Sequence, residues 1–262
     1  YKTLHNEFVI HYKDHIICLE EYIEGHTYGY NDLPLELLPK VGRMLGKLHQ
    51  ALKNYPLPIG MSDRWLGSIS ADRIIAKYDE LIQIAESKAD ADKLPQLIED
   101  LRYKKQLAVR CEEYKKYYNG ITYSSTHGDY QGCQLIWDQD EIKAVIDFSA
   151  AACLPVTWEI MRSFVQSSSL CRTTATIDIP ARCEYVREYM RFSPLTKNDM
   201  IAMPYVYLFQ LAQSSYGYPQ YLLNSDSEDR EGLLRFAFWR TKMCREVEKK
   251  AEEISNELVK LL

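Results

Sequence analysis

The 262-residue sequence contains no Cys-x-x-Cys pair, and its seven cysteines, at 18, 111, 133, 153, 171, 183 and 244, are odd in number and widely spaced. That spacing excludes a disulfide framework or a structural zinc site and reads as reduced, mostly buried thiols. A basic surplus is missing as well: 32 Lys and Arg stand against 37 Asp and Glu, a net charge of −5. Such a balance does not suit a binder of phosphate backbones, so no nucleic-acid partner is expected. No apolar run approaches the ~20 residues that cross a bilayer, and no signal-peptide pattern opens the chain. No membrane partner is expected, and a cytoplasmic location follows as the default. Glycine-rich phosphate cradles are also lacking, since neither Gly-x-Gly-x-x-Gly nor Gly-x-x-x-x-Gly-Lys-Ser/Thr occurs among the 11 glycines.

What is present is an ordinary globular composition, 46% hydrophobic, 26% charged and 12% aromatic. It is enough for a sizeable core in one large domain or two small ones. Phe8 to Tyr22 clusters β-formers on both sides of Lys13-Asp14-His15 and predicts a hairpin. Leu37, Leu38, Val41, Leu45, Leu48 and Leu52 recur at helical spacing and predict a first helix, with Pro34 and Pro39 near its start. Asn54 to Ser70, rich in Pro, Gly and Ser, reads as loop. Helical spacing over Ala71 to Ala89 and Leu94 to Tyr118 predicts an antiparallel pair, stopped by Asn119-Gly120. Leu135-Ile136-Trp137 and Ile142 to Phe148 then predict a second hairpin around Asp138 to Glu141. Helical segments follow near 156–170, 178–192, 197–215 and 229–261, with turns at Ser193-Pro194 and Gly217-Tyr218-Pro219. This order argues for an α+β fold rather than an alternating βαβ sheet.

The stretch richest in chemistry is His127-Gly128-Asp129-Tyr130-Gln131-Gly132-Cys133-Gln134, followed after the hairpin by Val145-Ile146-Asp147-Phe148. Antiparallel pairing of the hairpin returns Asp147 to the neighbourhood of Gln134 and Asp129. Three oxygen-bearing side chains then converge, a set that suits Mg²⁺ shared with the phosphates of a substrate.

This stretch resembles the motif of the aminoglycoside phosphotransferase and choline kinase superfamily: His-Gly-Asp-x-x-x-x-Asn, a hairpin, then Ile-Asp-Phe/Trp-Asp/Glu. The resemblance implies a protein-kinase-like fold, with residues 1–25 a remnant of the N-lobe strands and inter-lobe linker and 26–262 a helical catalytic and substrate lobe. It implies Asp129 as catalytic base, with His127 beside it in the catalytic loop, where hydrogen bonding suits it better than proton transfer. It makes Asp147 the principal Mg²⁺ ligand and puts Gln134 in the second metal position. Leu19-Glu20-Glu21-Tyr22-Ile23-Glu24-Gly25 looks like the linker whose backbone at about Glu21 and Ile23 would hydrogen-bond the base of ATP or GTP. Gly42-Arg43-Met44-Leu45-Gly46-Lys47-Leu48-His49 resembles the family's Gly-x-x-Leu-(Ala/Gly)-x-Leu-His helix. Glu159, in Pro155-Val156-Thr157-Trp158-Glu159-Ile160, matches an acid that braces the catalytic loop.

Three positions depart from the family pattern. Gln134 stands where Asn is usual, and its extra methylene shifts the amide outward. Ser149 replaces an acid after Asp147-Phe148. Only seven residues precede the first predicted strand, and the chain opens at Tyr1. The phosphate-covering loop, the strand Lys and its Glu-bearing helix are therefore expected to be missing, with truncation costing activity.

The function so implied is transfer of the γ-phosphate of ATP or GTP to a hydroxyl of a small molecule, an aminoglycoside, a choline-like alcohol, a sugar or homoserine. The alternative is a catalytically degenerate kinase-like binding or scaffold protein. A metal-dependent phosphohydrolase ranks third, because the six histidines, at 5, 11, 15, 26, 49 and 127, are too scattered to supply its ligands. Cys133 reads as packing. Tyr205, Tyr207, Tyr216, Tyr218 and Tyr221 read as core before pocket. Asp226, Glu228, Asp229 and Glu231 suit the positive end of a helix, and Glu246 to Glu257 its solvated face.

Overall fold

Two four-residue strands, β1 (Val9–Tyr12) and β2 (His15–Cys18), open the computed structural model, which describes residues 1–56, 71–224 and 229–262. They pair antiparallel with Val9 opposite Cys18 and Tyr12 opposite His15. Lys13, at φ 53°, makes the expected turn between them. Every residue of both strands is exposed, so the hairpin stands clear of the core. The linker that follows ends where His26 and Trp137 exchange backbone hydrogen bonds of 2.9 and 2.8 Å. Most of the expected loop over Asn54 to Ser70 lies outside the described residues, as do Asp226 and Glu228.

Helix α1 (Leu38–Leu52) carries Pro39 in its first turn, where an N–H would have no partner anyway. Its buried stripe is Leu38, Val41, Gly42, Leu45, Gly46 and His49, a 3.6-residue repeat. Gly42 and Gly46 permit close approach, because a Cβ on either would meet the carbonyl oxygen of Tyr185 or Tyr189. Helices α2 (Ala71–Lys88) and α3 (Leu94–Cys111) pack as the expected pair around Ile74, Tyr78, Leu81, Leu97 and Leu101. The second is shorter than its periodicity predicts. Glu112–Tyr118 winds more tightly, as a 3₁₀ segment, and lays Tyr117 flat on Tyr205 with ring centroids 4.0 Å apart.

Three two-stranded sheets make up the β content among the described residues. One of them escapes the sequence reading: β3 (Tyr123–Thr126) pairs with β6 (Ala152–Pro155), Tyr123 opposite Pro155 and Thr126 opposite Ala152. Between these strands lies the hairpin of β4 (Leu135–Asp138) and β5 (Glu141–Val145), with Leu135 opposite Val145. The second hairpin strand does not run on to Phe148. Asp147 turns into the left-handed region at φ 64°, and Phe148–Ala150 forms a 3₁₀ turn.

From Val156 the chain is helical: α4 (Val156–Ser167), α5 (Ser169–Thr174), α6 (Ile179–Met190), α7 (Lys197–Gln213), α8 (Tyr218–Leu223) and α9 (Arg230–Val259). The segment expected over 156–170 is two helices, because Ser168 leaves helical geometry and its side chain caps α5 by accepting from the Cys171 N–H. Gly217-Tyr218-Pro219 does turn the chain, with Gly217 at φ 100°, and also starts α8 with Pro219 in its first turn. Asp199 closes a capping box on α7 and accepts from the Thr122 N–H at 2.7 Å, fixing the entry to β3. Asp229 caps α9 by accepting from the Gly232 N–H at 3.0 Å. The acids of α9 are not simply a solvated face: Glu246 accepts from the Ile177 N–H at 3.0 Å, and Glu248 from Tyr103 at 2.9 Å.

Leu45, Leu154, Ile160, Phe164, Met203 and Val247 share the main core, which joins α1, β6, α4, α7 and α9. The architecture is thus α+β, a small strand element and linker followed by a mainly helical lobe. All seven cysteines are free, and Cys111, Cys171 and Cys244 are the fully buried ones. No described helix is long and apolar enough to cross a membrane.

Candidate active site

The loop from His127 to Gln134 runs between β3 and β4 and is tied down from three directions. Glu159, on α4 and wholly buried, accepts the backbone N–H of His127 at 3.1 Å and that of Gly128. Tyr130 donates its hydroxyl to the Val41 carbonyl on α1 at 3.0 Å. The Gly132 N–H donates to Ser167 Oγ at the end of α4, 2.9 Å away. Gly128 sits at φ 81°, and a Cβ there would strike the Ala150 carbonyl. The glycine next to the acid is therefore required on both conformational and steric grounds.

Burial alone would raise the Glu159 carboxyl. The hydrogen bond and charge of His49, whose Nε2 lies 2.7 Å away, outweigh it and hold the group below its usual range. His49 is fixed in turn by Tyr189 at 2.8 Å. His127 is likewise wholly buried, with its Nε2 2.8 Å from the Ile146 carbonyl and its ring against Phe148. It lies under the loop as a brace.

The hairpin brings the two acids to one amide. The Ile146 N–H bonds the Gln134 carbonyl at 3.0 Å, extending the β4–β5 ladder by one step. Gln134 Nε2 then lies 3.3 Å from Asp129 Oδ2 and 3.1 Å from Asp147 Oδ2. The Ser149 hydroxyl donates to Asp147 Oδ1 at 2.5 Å and lowers the pKa of that exposed carboxyl below its usual value.

Cavities open on either side of this trio. One, of about 640 Å³, is lined by Asp147, Phe148, Ile136 and Ile146 and by Glu21 and Ile23 of the linker. Among the described residues, no hydrogen bond engages the backbone of Glu21 or Ile23. The other cavity, of about 410 Å³, is lined by Asp129 and by Arg162, Tyr207 and Arg240. Arg162 Nη2 contacts Asp129 Oδ1 directly.

Mg²⁺ takes one or two carboxylates and fills its remaining positions with waters and substrate phosphates. Asp147 and the amide of Gln134, whose oxygen reaches the same side by a half turn of its last torsion, fit that sparse donor set. Among the described residues no group of three His, Cys, Asp or Glu could hold a metal.

The six residues expected at the site therefore fall in one region: Asp129, Gln134 and Asp147 in contact, His127 beneath them, Glu21 and Ile23 across the first cavity. Arg162 escaped the sequence reading. It follows Glu159 by three positions on α4, and that spacing puts it on the same helical face, which was the available signal. Tyr207 belongs both to the core and to the second cavity, while Tyr218 and Tyr221 are core.

The family described as the phosphotransferase enzyme family matches residues 11–193. Comparison with curated protein sequences gives no match. Among solved structures, the fold resembles an aminoglycoside phosphotransferase from Alicyclobacillus acidocaldarius at 15% identity, covering 96% of this chain and 76% of that one, with a TM-score of 0.62. A spectinomycin phosphotransferase solved with ADP and spectinomycin gives 15% identity, 95% and 76% coverage and a TM-score of 0.62. The ethanolamine kinase of Plasmodium vivax gives 16% identity, 91% and 66% coverage and a TM-score of 0.55. At these identities the likeness speaks for the fold, whereas the family match covers most of the chain and includes the His127 to Phe148 block. The chain belongs to the phosphotransferase enzyme family.

Proposed function

We propose that this protein transfers the γ-phosphate of ATP or GTP to a hydroxyl of a small molecule. The observation that carries this reading is the Gln134 amide set between Asp129 and Asp147, with one cavity on each side. In this reading the linker cavity takes the nucleotide, its base meeting the backbone of Glu21 and Ile23, and the Arg162 cavity takes the acceptor. Residues 1–25 then act as strand remnant and linker, and 26–262 as the catalytic lobe.

Asp129 orients the acceptor hydroxyl and takes its proton as the oxygen forms a bond to the γ-phosphorus. The bond from that phosphorus to the β-γ bridging oxygen breaks, and the nucleoside diphosphate leaves. Asp147 and Gln134 would hold Mg²⁺, which when bound supplies charge neutralisation across the phosphates. His127 and Glu159 act through the loop backbone and are positioning residues. Phosphoryl transfer asks mainly for in-line placement and neutralised charge; in this reading Asp129 serves the first, and the ion on Asp147 and Gln134 would serve the second.

The test is transfer of label from γ-labelled ATP or GTP to a panel of small alcohols by the wild type and by Asp129→Asn. Transfer that Asp129→Asn leaves unchanged refutes the assignment. The competing reading, a kinase-like binding protein without turnover, draws on the Arg162–Asp129 contact, which occupies one oxygen of the proposed base. It predicts nucleotide binding with no labelled product from any acceptor.

A further inference from the structure

The second cavity has an unusual balance of charge for a site beside a proposed base. Among the described residues that line it, Arg162 and Arg240 are cations and Asp129 is the one acid. Some of its donors have no acceptor. Arg162 Nη1 is buried and makes no hydrogen bond among the described residues, and neither does the hydroxyl of Tyr207, a residue 1% exposed. Arg240 donates to Ser214 Oγ at 2.7 Å.

The three groups also sense one another. Burial raises the Tyr207 phenol, and the charges of Arg240 and Arg162 pull it back. Burial lowers the Arg240 guanidinium, and the positive charge of Arg162 adds to that. Two like charges and a buried, unpaired hydroxyl around one cavity are unfavourable in isolation, and an anion placed among them relieves all three.

We infer that the acceptor carries an anionic oxygen group, a carboxylate or a phosphate, besides the hydroxyl to be phosphorylated, and that Arg162, Arg240 and the Tyr207 hydroxyl hold this group. The inference rests on the proposed function, because it takes the cavity beside Asp129 as the acceptor site. Guanidinium groups suit it through their planar, multi-donor match to carboxylate and phosphate oxygens. Arg162 has a second part to play: with one nitrogen on Asp129 and another free for the anion, it sets the distance between the acceptor's anionic group and the base. Ethanolamine, the substrate in the name of one relative, presents an amine, which the two guanidinium groups would repel.

The test is titration calorimetry on the full chain with four probes of similar size: glycerate, glycerol phosphate, neutral glycerol and cationic choline. At least one anion should bind about tenfold or more tightly than glycerol, and choline should not bind. The better of the two anions identifies the carboxylate or the phosphate source. Arg162→Gln and Arg240→Gln should each erase most of that preference. Arg240→Lys, which keeps the charge and loses the planar fork, should restore part of it, and serves where Arg240→Gln does not fold. Equal or tighter binding of glycerol or choline overturns the inference, as does failure of both anions to bind at millimolar concentration or an anion preference untouched in the arginine variants. Label transfer to choline without anion binding would leave the proposed function standing and remove the anionic acceptor. An arginine-dependent anion preference with no transfer to any alcohol would do the reverse.

Discussion

The side-chain amide of Gln134 donates to Asp147 at 3.1 Å, joining the start of a β-hairpin to the residue just beyond its end. The contact depends on register, since a slip of one residue in β4–β5 would turn Asp147 to the opposite face. Asp147→Ala should therefore abolish Mg²⁺-dependent nucleotide binding, whereas Asp140→Ala, on the exposed tip of the same hairpin, should leave it nearly unchanged. Nucleotide titrations with and without Mg²⁺ check both. Equal losses at the two positions would contradict the proposed role of Asp147.

Asp129 lines the second cavity, and Asp147 the first. Asp129→Asn keeps the shape of the side chain and removes the base. Turnover should fall by roughly a hundredfold or more, the usual scale of general-base catalysis, with little change in nucleotide affinity. Steady-state kinetics beside equilibrium nucleotide binding separates the two effects. A matched loss of nucleotide affinity would move Asp129 from chemistry to binding.

Glu159 meets two backbone N–H groups of the loop and the ring of His49 from a site with no solvent access. Glu159→Ala leaves all three donors without their partner, at a cost of about 3 kcal/mol or more. Denaturant unfolding should show a shift of that size, accompanied by lower turnover. Glu159→Gln keeps one acceptor oxygen and should be the milder change on both measures. A variant as stable as the wild type would mean that the loop is held by Tyr130 and Ser167 alone.

Much of this frame was legible in the sequence because its signals are local. Lys13-Asp14 between β-formers gives the first hairpin, the 3.6-residue stripe from Leu38 to His49 gives α1, and the His127 to Phe148 spacing brings the acids together. The β3–β6 pair was not legible. Each strand has four residues, the partners lie 26 residues or more apart, and Ala152 sits in a run of alanines without alternation. Ser168 and Gly217 mark helix boundaries through caps and backbone angles that composition does not announce. The Arg162–Asp129 contact joins residues 33 positions apart and exists only once α4 packs beside the loop.

Away from the site, Asp100 is 5% exposed, with the Tyr218 hydroxyl 3.4 Å from one oxygen and Arg245 3.7 Å from the other. Burial raises its pKa from 3.8 to about 6, and Arg245 offsets part of the effect. The folded state thus binds this proton more tightly than the unfolded chain. Its contribution to stability is fully present below about pH 4 and is lost as the pH rises through about 6. A shift of some two units corresponds to roughly 2 to 3 kcal/mol. Asp100→Asn mimics the protonated form at every pH and should not show this loss. Urea unfolding of both proteins at about pH 4, 5 and 7 should therefore give stabilities that diverge with rising pH, the variant gaining on the wild type by that amount. Parallel profiles would mean that Arg245 compensates the buried carboxylate in full.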